Sequence, residues 1–282
     1  MRKNTSPLLL LAIATSFIFY SCQKSIDRQA DINEIATAAN SSKGNGVVPY
    51  RFERINEHNF SSQGWREQQI NNIPGGQIFS DESDYIQIVC GPENNSDPRL
   101  IQGCITMNLP TGADPTLRRI RLRKEGYSGT RLADLTELKY STYIVNNAPT
   151  NMVLQIDANN DGTRDFNIFY DPRQPYQDAN FPPLILNTWQ QWDALHGRWY
   201  PEVSTITGLP VHCTMEQLVA LFPDARIIDI PLQGNNGEGV RFTLGPPSLF
   251  ANTVSFFDAL IIGTKNEQHS TLFDFTCDNS DH

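Results

Sequence analysis

The feature that most constrains this chain is a succession of short segments rich in β-branched and aromatic residues, separated by Gly, Pro, Asn or Asp. Branched and aromatic side chains fit a pleated sheet, while the separating residues favour turns, so such segments predict strands. The predicted strands are 85–89 (YIQIV), 104–109 (CITMNL), 117–123 (LRRIRLR), 138–145 (LKYSTYIV), 152–157 (MVLQID), 166–171 (FNIFYD), 226–232 (RIIDIPL), 240–244 (VRFTL) and 254–263 (VSFFDALIIG).

One helix is predicted among these strands. Thr214 followed by Gln217 has the spacing of a capping box, in which each residue satisfies a backbone amide of the first turn. Leu218 and Leu221 then supply an apolar stripe, and Pro223 ends the helix. Many short strands with a single helix indicate an antiparallel β-sandwich.

Several segments occur in a characteristic order: RFERIN followed by Trp65, LADLTELKYSTYI, VLQIDANNDGTRD, TWQQWD and FFDALIIG. This order resembles the jelly-roll domains of carbohydrate-binding modules and galactose-binding-like proteins, over about residues 50–263. The resemblance implies an all-β fold, an antiparallel jelly-roll β-sandwich with one short helix. It also implies a glycan or another extracellular molecule as the ligand.

The first 22 residues have the composition of a secretory signal. Basic Arg2 and Lys3 precede an apolar run, 8–18, that is too short to span a bilayer. The run is followed by Ser21 and Cys22, an ending that resembles bacterial lipoprotein signals and implies cleavage before Cys22 and lipid attachment to it. The alternative is an ordinary cleaved signal that leaves a free thiol. We expect a lipid-anchored protein of the cell envelope, held to a membrane through acylated Cys22 at the outer membrane or cell surface, with the periplasmic side as an alternative.

Composition divides the chain into four predicted parts. They are the signal peptide (1–22), a flexible polar tether (23–48), one β-sandwich domain (49–265) and a C-terminal tail (266–282). Removal of the signal takes away two basic residues, so the 22 basic residues become 20 against 31 acidic ones and the net charge changes from −9 to −11. Such a charge argues against nucleic acid as a partner.

Four cysteines remain after Cys22, an even number that predicts two disulfides in an exported protein. Three connectivities are open. The favoured one joins Cys90 to Cys104, on neighbouring predicted strands, and Cys213 to Cys277, which holds the tail.

The segment after strand 152–157 has oxygen-bearing side chains at every second position. Asp157, Asn159, Asp161 and Asp165, with the carbonyl of Thr163, can converge on one hard cation while Gly162 allows the sharp turn. The loop resembles the calcium loops of extracellular β proteins, as in integrin-type or thrombospondin-type repeats, and predicts a structural calcium. The alternative is a polar hairpin turn, since Asn-Asp-Gly is also a turn sequence.

Residues 187–201 (NTWQQWDALHGRWYP) contain three of the four tryptophans. Aromatic rings on a surface can stack on the apolar faces of sugars. Trp199 and Tyr200, beyond Gly197, are the predicted ligand-binding pair, together with Trp192. The alternative is that these rings belong to the core.

The strand at 117–123 alternates arginines with apolar residues. Arg119, Arg121 and Arg123 share one face, opposite Ile120 and Leu122. On an acidic chain this basic row predicts a site for a polyanion such as a uronic-acid polymer. The alternative is a solvated face whose arginines pair with acids on neighbouring strands.

The sequence contains no H-E-x-x-H, no G-x-S-x-G, no P-loop and no dinucleotide fingerprint. We therefore expect a protein that binds a glycan or other extracellular ligand without catalysing a reaction. One alternative is a structural or adhesion protein that contacts another protein. The other is a polysaccharide-degrading enzyme whose catalytic residues form no local motif.

Overall fold

In the computed structural model, the described residues are 50–73, 75–80, 83–92, 100, 102–110, 117–146, 148–173, 177–178, 181–202, 206, 208–229, 239–245 and 252–277. The predicted signal peptide, tether and Cys22 lie outside these residues. The described residues all fall within one compact unit, Tyr50–His282. No helix among them is long and apolar enough to cross a membrane.

Within the described ranges the fold is all-β, as the sequence predicts. The strands are β1 (Arg51–Ile55), β2 (Trp65–Ile73), β3 (Gly76–Ser80), β4 (Ile86–Val89), β5 (Cys104–Leu109), β6 (Leu117–Lys124), β7 (Leu135–Ile144), β8 (Asn151–Asp157), β9 (Phe166–Tyr170), β10 (Trp189–Asp193), β11 (Arg198–Pro201), β12 (Cys213–Thr214), β13 (Arg226–Ile227), β14 (Val240–Leu244), β15 (Thr253–Thr264) and β16 (Thr271–Phe275). One α-helix, α1 (Met215–Leu221), and a short 3-10 helix (Leu132–Asp134) accompany them.

The first sheet is organised around the long strand β15. One edge of β15 pairs with β7, which in turn pairs with β10. The other edge is shared, because Thr253–Phe257 pair with β5 and Leu260–Ile262 pair with β16. A bulge separates the two halves, where Ala259 has a φ of 54°. Strands β4 and β1 complete the sheet beside β5 and β16, and the β1–β16 pair is parallel, whereas the other described pairs are antiparallel.

The second sheet has the order β12-β11-β9-β8-β14-β6-β2-β3, with β13 also beside β8. Its inner face packs against the first sheet through aromatic rings. The Trp65 ring lies 4.8 Å from that of Phe275 and 5.7 Å from that of Phe273, both on β16. Tyr140 of the first sheet likewise contacts Phe242 at 5.4 Å. These contacts across the two sheets form the core of a β-sandwich.

Helix α1 begins as the sequence predicts. The Thr214 hydroxyl accepts a hydrogen bond from the Gln217 backbone amide, and the Gln217 side chain accepts one from the Thr214 amide. This reciprocal pair satisfies two amides of the first turn and fixes the start of the helix.

Part of the predicted C-terminal tail, residues 266–282, belongs to the folded sheet. Strand β16 lies within the predicted tail, pairs with both β15 and β1, and buries Phe273 and Phe275 in the core. The segment TLFDF has only five residues and no strict alternation, since Leu272 and Phe273 are adjacent, so it is a weak strand pattern in isolation.

The predicted cysteine pairing is wrong, although a disulfide is present. Cys90 pairs with Cys277, whereas Cys104 and Cys213 are buried thiols. Cys104 is paired in register with Val89, and its sulfur lies beside Gly91 rather than beside Cys90. Cys213 lies in the second sheet beside Trp199, whereas Cys277 follows β16 of the first sheet. Burial and the nearby Asp258 carboxylate raise the pKa of Cys104 to about 12, so this thiol stays protonated at neutral pH.

Candidate functional site

Strand β6 presents two buried but chemically opposite faces. Ile120 and Leu122 belong to the inter-sheet core, while Arg121 and Arg123 point to the outer face of the second sheet. Arg121 is 7% exposed and Arg123 is 1% exposed. Charged side chains are seldom buried to this extent without a reason in packing or function. The outer face of the second sheet is therefore the candidate site.

The strand register places further arginines beside those of β6. Arg123 lies directly opposite Arg66 on β2 and opposite Arg241 on β14. Directly paired residues share a face, so these three side chains lie in one row across three neighbouring strands. We call Arg66, Arg119, Arg121, Arg123 and Arg241 the cationic face. Like charges in direct cross-strand pairs disfavour each other, and Arg66 is also paired with Glu125 at 3.6 Å.

The electrostatic environment of Arg241 reflects this crowding. Burial and the neighbouring Arg119, with further contributions from Arg164 and Arg123, lower the pKa of Arg241 to about 9, and Glu202 opposes the shift. The guanidinium remains charged at neutral pH.

Uncharged polar groups line the same face. The Arg121 guanidinium donates to Gln68 Oε1 at 3.3 Å, between β6 and β2. Asn167 on β9 donates through Nδ2 to Glu202 at 3.0 Å, while its Oδ1 is buried without a hydrogen bond among the described residues. The same holds for Asn151 Oδ1 and Thr243 Oγ1. Buried polar atoms in this state are where a ligand or water is expected to bind.

The row continues from the cationic face into an aromatic one. Arg241 pairs with Val153 on β8, Val153 pairs with Phe169 on β9, and Phe169 pairs with Tyr200 on β11. The rings of Phe169 and Tyr200 stack, with centroids 5.2 Å apart and planes inclined by 13°. We call this pair the aromatic platform. The ring of His212 meets that of Tyr200 edge-on at 6.0 Å.

Exposure across the site differs between its floor and its rim. Arg121, Arg123 and Arg241 are buried, whereas Arg119, Phe169, Tyr200 and His212 are half-buried. The buried arginines are therefore covered within the chain, and a ligand can contact only the half-buried groups of this face.

The structure places the two members of the predicted ligand-binding pair, Trp199 and Tyr200, in different environments. Tyr200 lies at the rim, but Trp199 and Trp192 are fully buried in the core and donate hydrogen bonds to Ala194 O and Thr142 Oγ1. The expectation that Trp199 lies at the surface is therefore wrong. Residues 199 and 200 are adjacent on one strand and must face opposite sides, so only one of them can lie on the surface.

The predicted calcium loop forms the hairpin between β8 and β9. The two Asp157 carboxylate oxygens accept hydrogen bonds from the amides of Asp161, at 3.2 Å, and Gly162, at 2.9 Å. Asp161 accepts from Thr163, and Asp165 accepts from the Ala158 amide at 2.7 Å. Among the described residues no group of three or more His, Cys, Asp or Glu is arranged to hold a metal ion. The loop as it stands is a turn that satisfies its own amides, and calcium binding by Asp157, Asn159, Asp161, Thr163 and Asp165 stays a prediction.

Several residues of this face do not follow from the sequence analysis: Arg66, Gln68, Asn151, Asn167, Phe169, His212, Arg241 and Thr243. The alternation within VRFTL and FNIFY does assign Arg241 and Asn167 to the side opposite the apolar residues, and the two-residue period places Phe169 on the side of Asn167. The pairing of β14 with both β6 and β8 could not be predicted, because these strands are far apart along the chain.

Comparisons with known proteins add little to this description. No protein-family model matches the chain, and no curated protein matches it significantly. A solved structure that it resembles is an alginate lyase from Pseudomonas aeruginosa, with 12% sequence identity and a TM-score of 0.26 over 72% of this chain and 99% of that chain. Similarity at this level supports no statement about function.

Proposed function

We propose that the outer face of the second sheet binds an acidic polysaccharide through its carboxylates. The observation that carries this proposal is the gathering of five arginines on one face, of which Arg66 and Arg119 are half-buried and can reach a ligand. Guanidinium groups match carboxylates in geometry and charge, and such bonds are stronger than those between neutral groups. The half-buried aromatic platform next to the cationic face suits a ligand that also has ring faces.

The experiment compares two forms of one polymer. Polyuronate, and the same polymer after reduction of its carboxylates to alcohols, are titrated into the protein by calorimetry. We expect saturable binding of the first, weakened by salt, and little binding of the second. Equal affinity for both forms, or binding of neither, would overturn the proposal. This comparison uses the unmodified protein, so it does not depend on how a variant folds.

Matched variants then locate the site. Arg119→Gln should lower the affinity about 10- to 100-fold, since Arg119 is half-buried and a hydrogen bond to a charged group contributes roughly 1.5–3 kcal/mol. Arg51→Gln is the control, because it removes the same charge from β1 of the first sheet, where Arg51 is exposed and paired with Glu53. If both variants bind like the parent, the ligand lies elsewhere.

A second candidate function is cleavage of the same polymer, and one observation favours it. Tyr200 and His212, two side chains able to move protons, are in ring contact beside Phe169, and both are half-buried. The test is release of unsaturated or reducing ends from a polyuronate panel, and activity lost in both Tyr200→Phe and His212→Asn would support it.

We further propose that this binding domain is displayed on the cell envelope by a lipid on Cys22. The first 22 residues and the Cys90–Cys277 disulfide, which suits an oxidising compartment, support this location. Labelling of growing cells with a radioactive fatty acid should mark the parent and leave Cys22→Ser unlabelled. Labelling of both would overturn the assignment.

A further inference from the structure

One loop beside the first sheet exposes an unbroken run of apolar side chains. Residues 181–186 (FPPLIL), which we call the apolar loop, lie shortly before β10 and contain no polar side chain. Ile185 is 50% exposed and Leu186 is 44% exposed. Val145, which follows β7 and is 38% exposed, lies nearby, because the Asn187 amide donates to the carbonyl of the residue before it. Contiguous exposed apolar groups of this kind mark a surface that contacts something other than water.

Resting on the proposed attachment of a lipid to Cys22, we infer that the apolar loop enters the surface of a lipid bilayer. The boundary between headgroups and acyl chains accepts apolar side chains to a depth of about 5–10 Å. The loop is a second membrane contact in addition to the lipid. It therefore fixes which way the folded domain faces, which a lipid on a long tether cannot do.

The backbone of the apolar loop is suited to lipid. Where lipid excludes water, polar backbone groups must find partners within the protein. Pro182 and Pro183 have no amide hydrogen to satisfy. The side chain of Gln190 on β10 holds the next part of the loop, since its Oε1 accepts from the Ile185 amide at 2.6 Å and its Nε2 donates to Pro183 O at 2.8 Å. The loop thus presents its apolar side chains while these backbone groups are satisfied by the chain itself.

The segments that meet at the apolar loop carry no charge. Residues 140–156, 181–192 and 242–257 contain no Asp, Glu, Lys, Arg or His, although the net charge of the chain is −9. They meet because β7 pairs with both β10 and β15. The phosphates of a membrane surface repel acidic regions of a protein but not uncharged ones. Charge therefore favours approach to the bilayer through the apolar loop.

The position of the apolar loop agrees with the length of the predicted tether. Val145, near the loop, donates to the carbonyl of Val254 at the start of β15. Arg51, which begins β1, is two strands from Ile262, near the other end of β15. Positions 254 and 262 are eight residues apart, about 26 Å along a strand. Residues 23–48 can extend to about 86 Å at about 3.3 Å per residue, so lipid and loop can reach one bilayer.

A protein partner suits the apolar loop less well. Energetically important residues of protein interfaces are enriched in Trp, Tyr and Arg, whereas Leu and Val are under-represented. The most exposed side chains of the loop are aliphatic, and its one aromatic residue, Phe181, is half-buried. Aliphatic side chains without charged neighbours along the segment match acyl chains rather than a polar-rimmed protein surface.

The test places a fluorescent label on the apolar loop. The protein isolated from cell membranes, carrying Ile185→Cys, is labelled with an environment-sensitive fluorophore and placed in phosphatidylcholine vesicles. Val211→Cys is the matched control, since Val211 is an aliphatic residue that is 62% exposed and precedes β12 of the second sheet. Cys104 and Cys213 are buried, and the parent taken through the same labelling gives the background from native thiols.

We expect the emission of the label at position 185 to shift to shorter wavelength in vesicles. A nitroxide near the top of the acyl chain should quench it more strongly than one near the chain end, because the expected depth is about 5–10 Å. The label at position 211 should show neither effect. Leu186→Cys serves as a second loop variant if Ile185→Cys does not fold.

Flotation of the vesicles separates this inference from the proposed lipid attachment. If the parent does not float with the vesicles, the lipid attachment fails and the inference fails with it. If the parent floats but the labels at positions 185 and 211 respond alike, the loop inference is wrong while the lipid attachment stands. If the label at position 185 is already shielded without vesicles, and light scattering shows a dimer, a second copy of the chain covers the loop and contact with lipid is overturned.

Discussion

Two faces of the same strand show how this molecule separates stability from recognition. Leu122 and Arg123 are consecutive on β6 and both are almost fully buried, yet Leu122 packs into the aromatic core and Arg123 lies between two other arginines. On the inner face apolar side chains pack against one another. On the outer face guanidinium groups meet polar partners, as where Arg121 donates to Gln68. Burial alone therefore does not distinguish the two faces, and the chemistry of the neighbouring side chains does.

The largest effect should come from the inner face. Leu122→Ala is expected to lower the free energy of unfolding by about 2–5 kcal/mol, through lost burial and the cavity left behind. The folded protein should still bind polyuronate with the parent affinity. Urea unfolding and calorimetry, both performed well below the melting temperature, measure the two quantities. A large loss of affinity would mean that the two faces are coupled.

Reduction of the Cys90–Cys277 disulfide should have the next largest effect. This bond joins positions 187 residues apart and constrains the unfolded chain, so we expect a loss of about 2–4 kcal/mol in reductant. Cys90→Ser is the control and should lose the same stability with no further change when reductant is added. Because Cys90 and Cys277 follow strands of the first sheet, affinity for polyuronate should not change. A fall in affinity on reduction would contradict this separation.

The outer face should respond in binding rather than in stability. Arg119→Gln should lower the affinity for polyuronate about tenfold, because it removes a half-buried guanidinium of the cationic face. The free energy of unfolding should change by less than about 0.5 kcal/mol, since partly exposed charges contribute little to stability. Urea unfolding and calorimetry measure the two quantities. A variant that loses stability and keeps its affinity would remove Arg119 from the site and place it among the structural residues.

These two faces also show which features of the fold and site could be predicted from the sequence. The alternation of LRRIRLRK predicts both faces of β6, and the capping box predicts the start of α1, since both depend on neighbours within a few residues. The meeting of Arg66, Arg123 and Arg241 depends on pairing between strands that are distant along the chain, which no local pattern contains. The same limit applies to the Cys90–Cys277 pair and to β16, whose five residues are identified as a core strand only by their two partners.

The hairpin loop at the edge of the outer face provides a smaller test. For calcium to bind, Asp157 and Asp161 must exchange hydrogen bonds with the backbone for bonds to the ion. We therefore expect only a modest gain, about 1 kcal/mol at roughly five times the Kd. Calorimetry and the melting temperature with calcium or chelator measure it, and Asp157→Asn is the control. The absence of saturable heat would show that the loop is a turn alone.

The smallest effect concerns the pH response of that loop. Hydrogen bonds from the Thr163 hydroxyl and amide, and from Asn159, hold the pKa of Asp161 below its usual value. A carboxyl whose pKa is lowered by folding stabilises the protein above the pKa it has when unfolded, and loses this contribution as the pH falls through the folded value. Thr163→Val removes the hydroxyl donor, so the parent should melt slightly higher near neutral pH, and the difference should shrink as the pH falls below the ordinary pKa of an aspartate carboxyl. Asp161 is fully exposed, so a difference as large as that of Leu122→Ala would show that the loop supports the sheet beneath it rather than only closing the turn.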